Sequence, residues 1–237
     1  MYTIRRVLVV SIIALTLLAS AIKAMRAQPE PTAPVAAGAV VPLAPFTSVE
    51  LRDGVKAVLQ YGPVQRVTLL KGSPEVTQVA VAGGEWLVIE KCRDKCPRGY
   101  ELEIEIVTPK IAGISVAHGG TIESRGSFPR QAEISLAVSN GGTIDTRSIL
   151  ADKITAAVAE GGRIFAKPGT IMLASVVNGG IITYWGDAQV TSSTQHGGQV
   201  TKGAAADADK PLSDFNLPLP SVPNVPHVHS IQPVRNQ

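Results

Sequence analysis

Five double glycines recur along the second half of the chain, at 119–120, 141–142, 161–162, 179–180 and 197–198, at intervals of 22, 20, 18 and 18 residues. Two positions after each pair stands Ile122, Ile144, Ile164, Ile182 or Val200. Three positions before it stands Val116, Val138, Val158, Val176 or, in the last copy, Thr194. A V-x-[HNE]-G-G-x-[IV] unit repeated at about 20 residues is the mark of a solenoid, in which each coil buries its apolar face against its neighbours. Few other folds tolerate so regular a period.

The glycines have a mechanical reading. Stacked strands lie only ~4.8 Å apart, so a sharp corner between them has little room for a Cβ, and glycine also accepts positive φ. Gly119, Gly120, Gly141, Gly142, Gly161, Gly162, Gly179, Gly180, Gly197 and Gly198 are therefore predicted to be coil corners. A β-branched residue at Gly141 or Gly161 is expected to destabilise the domain severely, because it cannot take φ > 0 beside a neighbouring coil. The polar residue before each pair (His118, Asn140, Glu160, Asn178, His196) is the outward corner position.

Ahead of each corner the chain alternates with period two, as in Ile134-x-Leu136-x-Val138, Ile154-x-Ala156-x-Val158 and Met172-x-Ala174-x-Val176. One face of each strand is apolar, and equivalent positions should form ladders of Val and Ile along the stack. Each fully buried aliphatic contributes roughly 1.5–3 kcal/mol. Apolar residues make up 45% of the chain but aromatics only 4%, so the core must be aliphatic. In the last copy the inward positions drift to Val190-x-Ser192-x-Thr194, as a capping coil facing water requires.

Between residues 46 and 108 short strand-like runs alternate with turns. Asp53-Gly54 is a hairpin-type signal between Val49-x-Leu51 and Val55-x-Ala57-x-Leu59, and Gly83-Gly84 leads into Trp86-Leu87-Val88-Ile89. Leu102-x-Ile104-x-Ile106, with Glu101, Glu103 and Glu105 between, reads as a half-buried strand. No helical period is sustained over residues 46–203. The expected fold is all-β: a right-handed parallel β-helix or β-solenoid over 46–203 with GG-x-[IV] coils, preceded by shorter β segments.

The two ends read differently. Arg5 and Arg6, the 12-residue apolar run 7–18 and Ala19-Ser20-Ala21 make residues 1–21 a secretory signal peptide. Ala24 and Ala27 are further possible cleavage points. A bilayer span needs roughly 20 apolar residues, and Lys23 ends the run too soon, so no stable membrane span is expected after signal removal. Losing Arg5, Arg6 and no acid brings the formal charge of +3 to +1, which leaves no electrostatic footprint for nucleic acid. Residues 22–45 read as a Pro/Ala-rich linker and 204–237, with Pro211, Pro218, Pro220, Pro223, Pro226 and Pro233, as a disordered Pro-rich tail.

With these residues laid out, the chain resembles the putative auto-transporter adhesin head GIN domain family. The entry segment Phe46-x-x-Val49-x-Leu51-x-x-Gly54-Val55, the Leu87-Val88-Ile89 strand, the Thr108-Pro109 step and the GG-x-[IV] coils carry the resemblance over residues 46–203. It implies an exported β-solenoid of the bacterial cell envelope, whether periplasmic, envelope-bound or secreted. It supplies no catalytic residues.

Candidate chemistry is sparse. Glu123-x-Arg125 and Asp145-x-Arg147 hold equivalent outward positions on adjacent coils, with Lys167 next in line. Two carboxylates one coil apart approach the ~5–5.5 Å spacing of retaining glycosidases, but the Arg two residues beyond each acid makes a surface charge network the simpler reading. His118 and His196 are four coils apart, and His227-x-His229 lacks further ligands, so no metal or cofactor site is expected. Phe165 and Trp185 take outward register and Tyr184 inward; the outward pair could stack on a sugar or pack against returning chain. Pro97 and Gly99 mark the segment that holds Cys92 and Cys96 as a turn, and two sulfurs facing each other across a hairpin loop in an exported chain favour a disulfide. The spacing fits neither a thioredoxin-like pair nor a zinc site.

The function read from the sequence is an exported, non-enzymatic, adhesin-like binding or scaffolding module whose partner is an envelope protein or a glycan. The alternative is a polysaccharide-acting enzyme, a hydrolase or lyase, using the Glu123/Asp145 face. Export is directly testable. N-terminal sequencing of protein recovered from the cell envelope should begin near Ile22, and an intact Met1 there would instead indicate a retained anchor.

Overall fold

The structure, a computed structural model, describes residues 38, 40–92 and 96–215; the expected signal peptide, the start of the linker and the tail beyond residue 215 lie outside them. The described residues are all-β, arranged as one mixed 14-stranded sheet that curls so that two ladders share a core. The strands are β1 (Ser48–Arg52), β2 (Lys56–Tyr61), β3 (Arg66–Lys71), β4 (Gln78–Ala82), β5 (Trp86–Glu90), β6 (Glu103–Thr108) and β7 (Gly113–Ala117). They continue with β8 (Thr121–Arg125), β9 (Gln131–Ser139), β10 (Thr143–Ala159), β11 (Arg163–Val177), β12 (Ile181–Tyr184), β13 (Gln189–Thr194) and β14 (Gln199–Lys202).

In one ladder, β6, β2, β8, the start of β10, the start of β11, β12 and β14 pair in parallel. In the other, β5, β1, β7, β9, the end of β10, the end of β11 and β13 do the same. Antiparallel β3 and β4 close the early ends, on β6 and β5. The long strands β10 and β11 run through both ladders, and register shifts between Asp145 and Leu150 mark where they bend.

The period-two pattern is what seats the core. Ile104, Ala57, Ile122, Ile144, Ile164, Ile182 and Val200 occupy one continuous register column. Ile89, Leu51, Val116, Val138, Val158 and Val176 occupy a facing one, and all but the terminal Val200 are buried. The β-branched residues that favour a pleated surface are thus the ones that stack. Polar Ser192 and Thr194 close the columns at β13, where both are exposed.

Two local expectations are corrected. Asp53-Gly54 is not a hairpin turn, because β1 and β2 lie in different ladders; with φ of +61° and +76° it is a left-handed corner between the ladders, like those that follow. The hairpin forms at Gly83-Gly84, between β4 and β5. Cys92 and Cys96 are bonded, with Cα atoms 5.6 Å apart, but they sit in the crossover from β5 to β6, which do not pair with each other. The disulfide therefore closes a small loop between ladders and not a hairpin.

The corners also divide their labour differently from the expectation. Gly141 and Gly161 do take a left-handed φ of +84°, but an added Cβ there would meet nothing within 4 Å. Overlap arises at the second glycine: a Cβ on Gly142 would lie 2.7 Å from Val116 Cγ1 and one on Gly162 2.4 Å from Val138 Cγ1. The residue before the pair is itself left-handed, with φ of +57° at His118, +55° at Asn140 and +58° at Glu160. Asn is among the few side chains that tolerate this region. Gly142→Ala should cost about 3 kcal/mol, as both strain and overlap act. Gly141→Ala and Asn140→Ala should cost only about 1 kcal/mol each, from backbone strain alone. Denaturant melts of the three variants check the order, and a Gly141→Ala loss as large as that of Gly142→Ala would contradict it.

Candidate functional site

The acid pair singled out in the sequence is brought together and then disarmed. Asp145 lies directly beside Glu123 in the ladder. Asp145 is only 4% exposed, and Arg147 holds both its oxygens, with Nε at 2.9 Å from Oδ1 and Nη2 at 2.6 Å from Oδ2. The Arg147 backbone N–H donates to Oδ1 as well. Glu123 is paired with Arg125 at 3.1 Å. A carboxylate so committed to a guanidinium is poorly suited to act as nucleophile or general base. The register shift puts Lys167 beside Leu150, so the basic column does not continue past Arg147.

Asp145, Phe165 and Trp185 take outward register yet are buried, the two rings by the second of the outcomes left open for them, packing against returning chain. The covering element is the chain after β14. Residues 204–215 carry two 3-10 turns, Ala205–Asp207 and Leu212–Asp214, and return Phe215 to the ladder. Phe165, Trp185 and Phe215 pack with centroids 5.0–6.1 Å apart. The Arg147 guanidinium carbon lies 5.6, 5.3 and 4.8 Å from their centroids, and its Nη1 donates to the carbonyls of Asp207 and Ala208. Trp185 Nε1 donates to the Ala204 carbonyl at 2.9 Å. Arg147 is thus a rivet, ion-paired on one side and caged by aromatics on the other.

The histidines do not assemble. His118 Nδ1 stands 3.6 Å from Asp53 Oδ1 at one corner, and His196 belongs to the last. Among the described residues no cluster of three His, Cys, Asp or Glu could hold a metal, and His227 and His229 lie outside them.

A different constellation sits on the outer face of the second ladder. A shallow depression of about 400 Å³ is lined by Glu50, Arg52, Ala82, Gly83, Trp86, Val88 and Ser115. Trp86 pairs in register with Ser48, and Ser48 with Gly113. A Cβ on Gly113 would fall 3.2 Å from Trp86 Cη2, so the indole reaches from β5 across β1 toward β7. Beside it, Arg52 Nε donates to Glu50 Oε1 at 2.7 Å. That hydrogen bond is the main reason the Arg52 pKa is raised; burial opposes it, and the fields of Glu90 and Asp53 add to it. Trp86 lies outside residues 112–203, where the exposed aromatics were expected. The available signal was its phase, one step out from buried Leu87 and Ile89.

A family model described as "Putative auto-transporter adhesin, head GIN domain" matches residues 45–183, more than half of the chain. The chain belongs to this family. Solved structures similar to this GIN domain include a putative adhesin from Bacteroides fragilis, with 14% identity, a TM-score of 0.43, and coverage of 69% of this chain and 95% of that one. Two more are a putative lipid binding protein from Parabacteroides distasonis (13% identity, TM-score 0.29, 70% and 96% covered) and a putative adhesin from Parabacteroides merdae (11%, 0.36, 71% and 96%). No curated protein matches the chain.

The Arg147 rivet generates a prediction for this GIN domain. Arg147→Ala should release the segment 204–215 from the coils while leaving the ladders intact. Chymotrypsin cleavage after Phe215 should accelerate roughly tenfold or more, since it follows the population of the opened segment. Unchanged cleavage would mean that Phe215 and Trp185 hold the segment without the guanidinium.

Proposed function

We infer that this GIN domain is an exported, non-enzymatic binding or scaffolding module of the cell envelope, built as a parallel β-solenoid and acting through the outer face of its second ladder. One observation carries the reading. Val88, Glu50, Ser115, Ala137, Ala157, Ser175 and Ser193 fall in one register row across seven strands, and most of their side chains are short. The neighbouring row of Ser135, Thr155, Leu173 and Thr191 continues the same surface. A partner can lie flat on such a face, and burying it demands little desolvation of charge.

The remaining support is indirect. A bonded Cys92–Cys96 pair suits an oxidising compartment, and among the described residues no helix is long and apolar enough to cross a membrane. The family description is that of an adhesin head. The polysaccharide-acting alternative at Glu123 and Asp145 has no support, because Asp145 is buried and ion-paired.

The test is retention of protein-coated beads on immobilised envelope material, with the full chain and with Ala157→Arg, which plants a charge in the middle of the face. Retention should fall by roughly tenfold or more with an unchanged melting temperature. Release of sugar from polysaccharide, lost on Glu123→Gln, would overturn the reading in favour of an enzyme.

A further inference from the structure

Trp86 is set up differently from an ordinary surface aromatic. At 36% exposure it is one of the few large apolar side chains left open among the described residues. Its ring spans β1 because the two positions beneath and beyond it, Ser48 and Gly113, are small. Ser48 lies on the outer face yet is only 6% exposed, and Gly113 has no Cβ to meet the indole's far edge. An indole laid along a sheet has one face on protein and the other toward solvent. It is immobilised before any ligand arrives, so binding to it loses little side-chain entropy.

The groups beside the ring are a donor and an acceptor held together. Arg52 commits Nε to Glu50 Oε1, and among the described residues neither its two Nη groups nor Glu50 Oε2 has a hydrogen-bond partner. Opposite charges 2.7 Å apart leave no net field to recruit a phosphate or another anion. What fits is a neutral ligand with a flat apolar face and a rim of groups that both donate and accept. A pyranose has this chemistry: C–H bonds on one face, and adjacent hydroxyls that can give a proton to a carboxylate and take one from a guanidinium. A proline-rich peptide could also stack on an indole, but proline has no N–H to offer Glu50.

We propose that the Trp86 depression is a carbohydrate subsite, in which a neutral pyranose of a surface glycan stacks on the indole while two adjacent hydroxyls bridge Glu50 and Arg52. The proposal rests on the binding-module reading and names the ligand class for one end of that same face. Trp86, Glu50 and Arg52 would touch the sugar, whereas Ser48 and Gly113 are positioning residues that let the ring lie down.

The experiment is a neutral-glycan array on the full chain, followed by NMR titration of the indole N–H signals with the oligosaccharide selected. The chain has two tryptophans, and Trp185 Nε1–H is hydrogen-bonded to Ala204, so the two signals report separately. The Trp86 signal should move and the Trp185 signal should not. Trp86→Ala and Arg52→Ala should each weaken binding by roughly tenfold or more, Trp86→Phe less, and Gly113→Ala should weaken it by lifting the ring. Because the titration is read on the unaltered chain, it stands even where a variant fails to fold. No neutral glycan bound, or binding that leaves the Trp86 signal in place, overturns the proposal. A synthetic peptide of residues 216–237 that moves the Trp86 signal when sugars do not would make the depression a peptide site. If sugars fail while bead retention still depends on Ala157, only the carbohydrate assignment falls. If bead retention is insensitive to that residue as well, the face itself is wrong.

Discussion

The packing of this sheet depends on the distance between one corner and the next. Strands that pair at ~4.8 Å bring successive corners into van der Waals contact, and a valine methyl of the neighbouring strand occupies the space where a side chain would begin. At Gly142, Gly162, Gly180 and Gly198 that methyl stands 2.4–2.7 Å from an added Cβ. The valine column and the glycine column are therefore one device. Val116, Val138, Val158 and Val176 fill the core beneath the corner, and the glycine above each leaves room for them.

With the corners fixed, the two ladders are held in register, and the outer faces become regular surfaces whose neighbours are set by the pairing. That regularity explains why two constellations of similar composition behave so differently. Both contain a tryptophan, an arginine and a carboxylate. Around Arg147 the returning chain supplies a third ring and two carbonyls, so the cation is buried and serves to hold structure. Around Arg52 no chain returns, and the same kinds of groups remain available to a ligand.

The all-β class, the inward columns and the places of the left-handed corners were legible in the sequence because they are local: a period of two in the strand and a fixed offset to the corner specify them. The partnership of Glu123 and Asp145 was legible for the same reason. What was not legible depends on contacts far apart in the chain. The burial of Phe165 and Trp185 needs Phe215 to fold back, and nothing within a coil announces it. Asp53-Gly54 has the composition of a hairpin turn, and only the separate ladder partners of β1 and β2 reveal a corner. The platform under Trp86 required knowing that Ser48 and Gly113 stand beside it, although 27 residues separate Gly113 from Trp86 in the chain.

One corner departs from the rest. The first among the described residues, Asp53-Gly54, carries Val55 where every later corner has its second glycine, and Val55 is fully buried. Its neighbours on the upstream side are β5 and β6, which pair with β1 and β2 and are joined by a crossover instead of a corner. The second glycine is needed where one corner stacks on another: a Cβ on Gly120 would lie 2.6 Å from the Val55 carbonyl oxygen, and one on Gly142 would lie 3.2 Å from the Gly119 backbone. Valine at that position therefore distinguishes a corner that begins a stack from one that continues it.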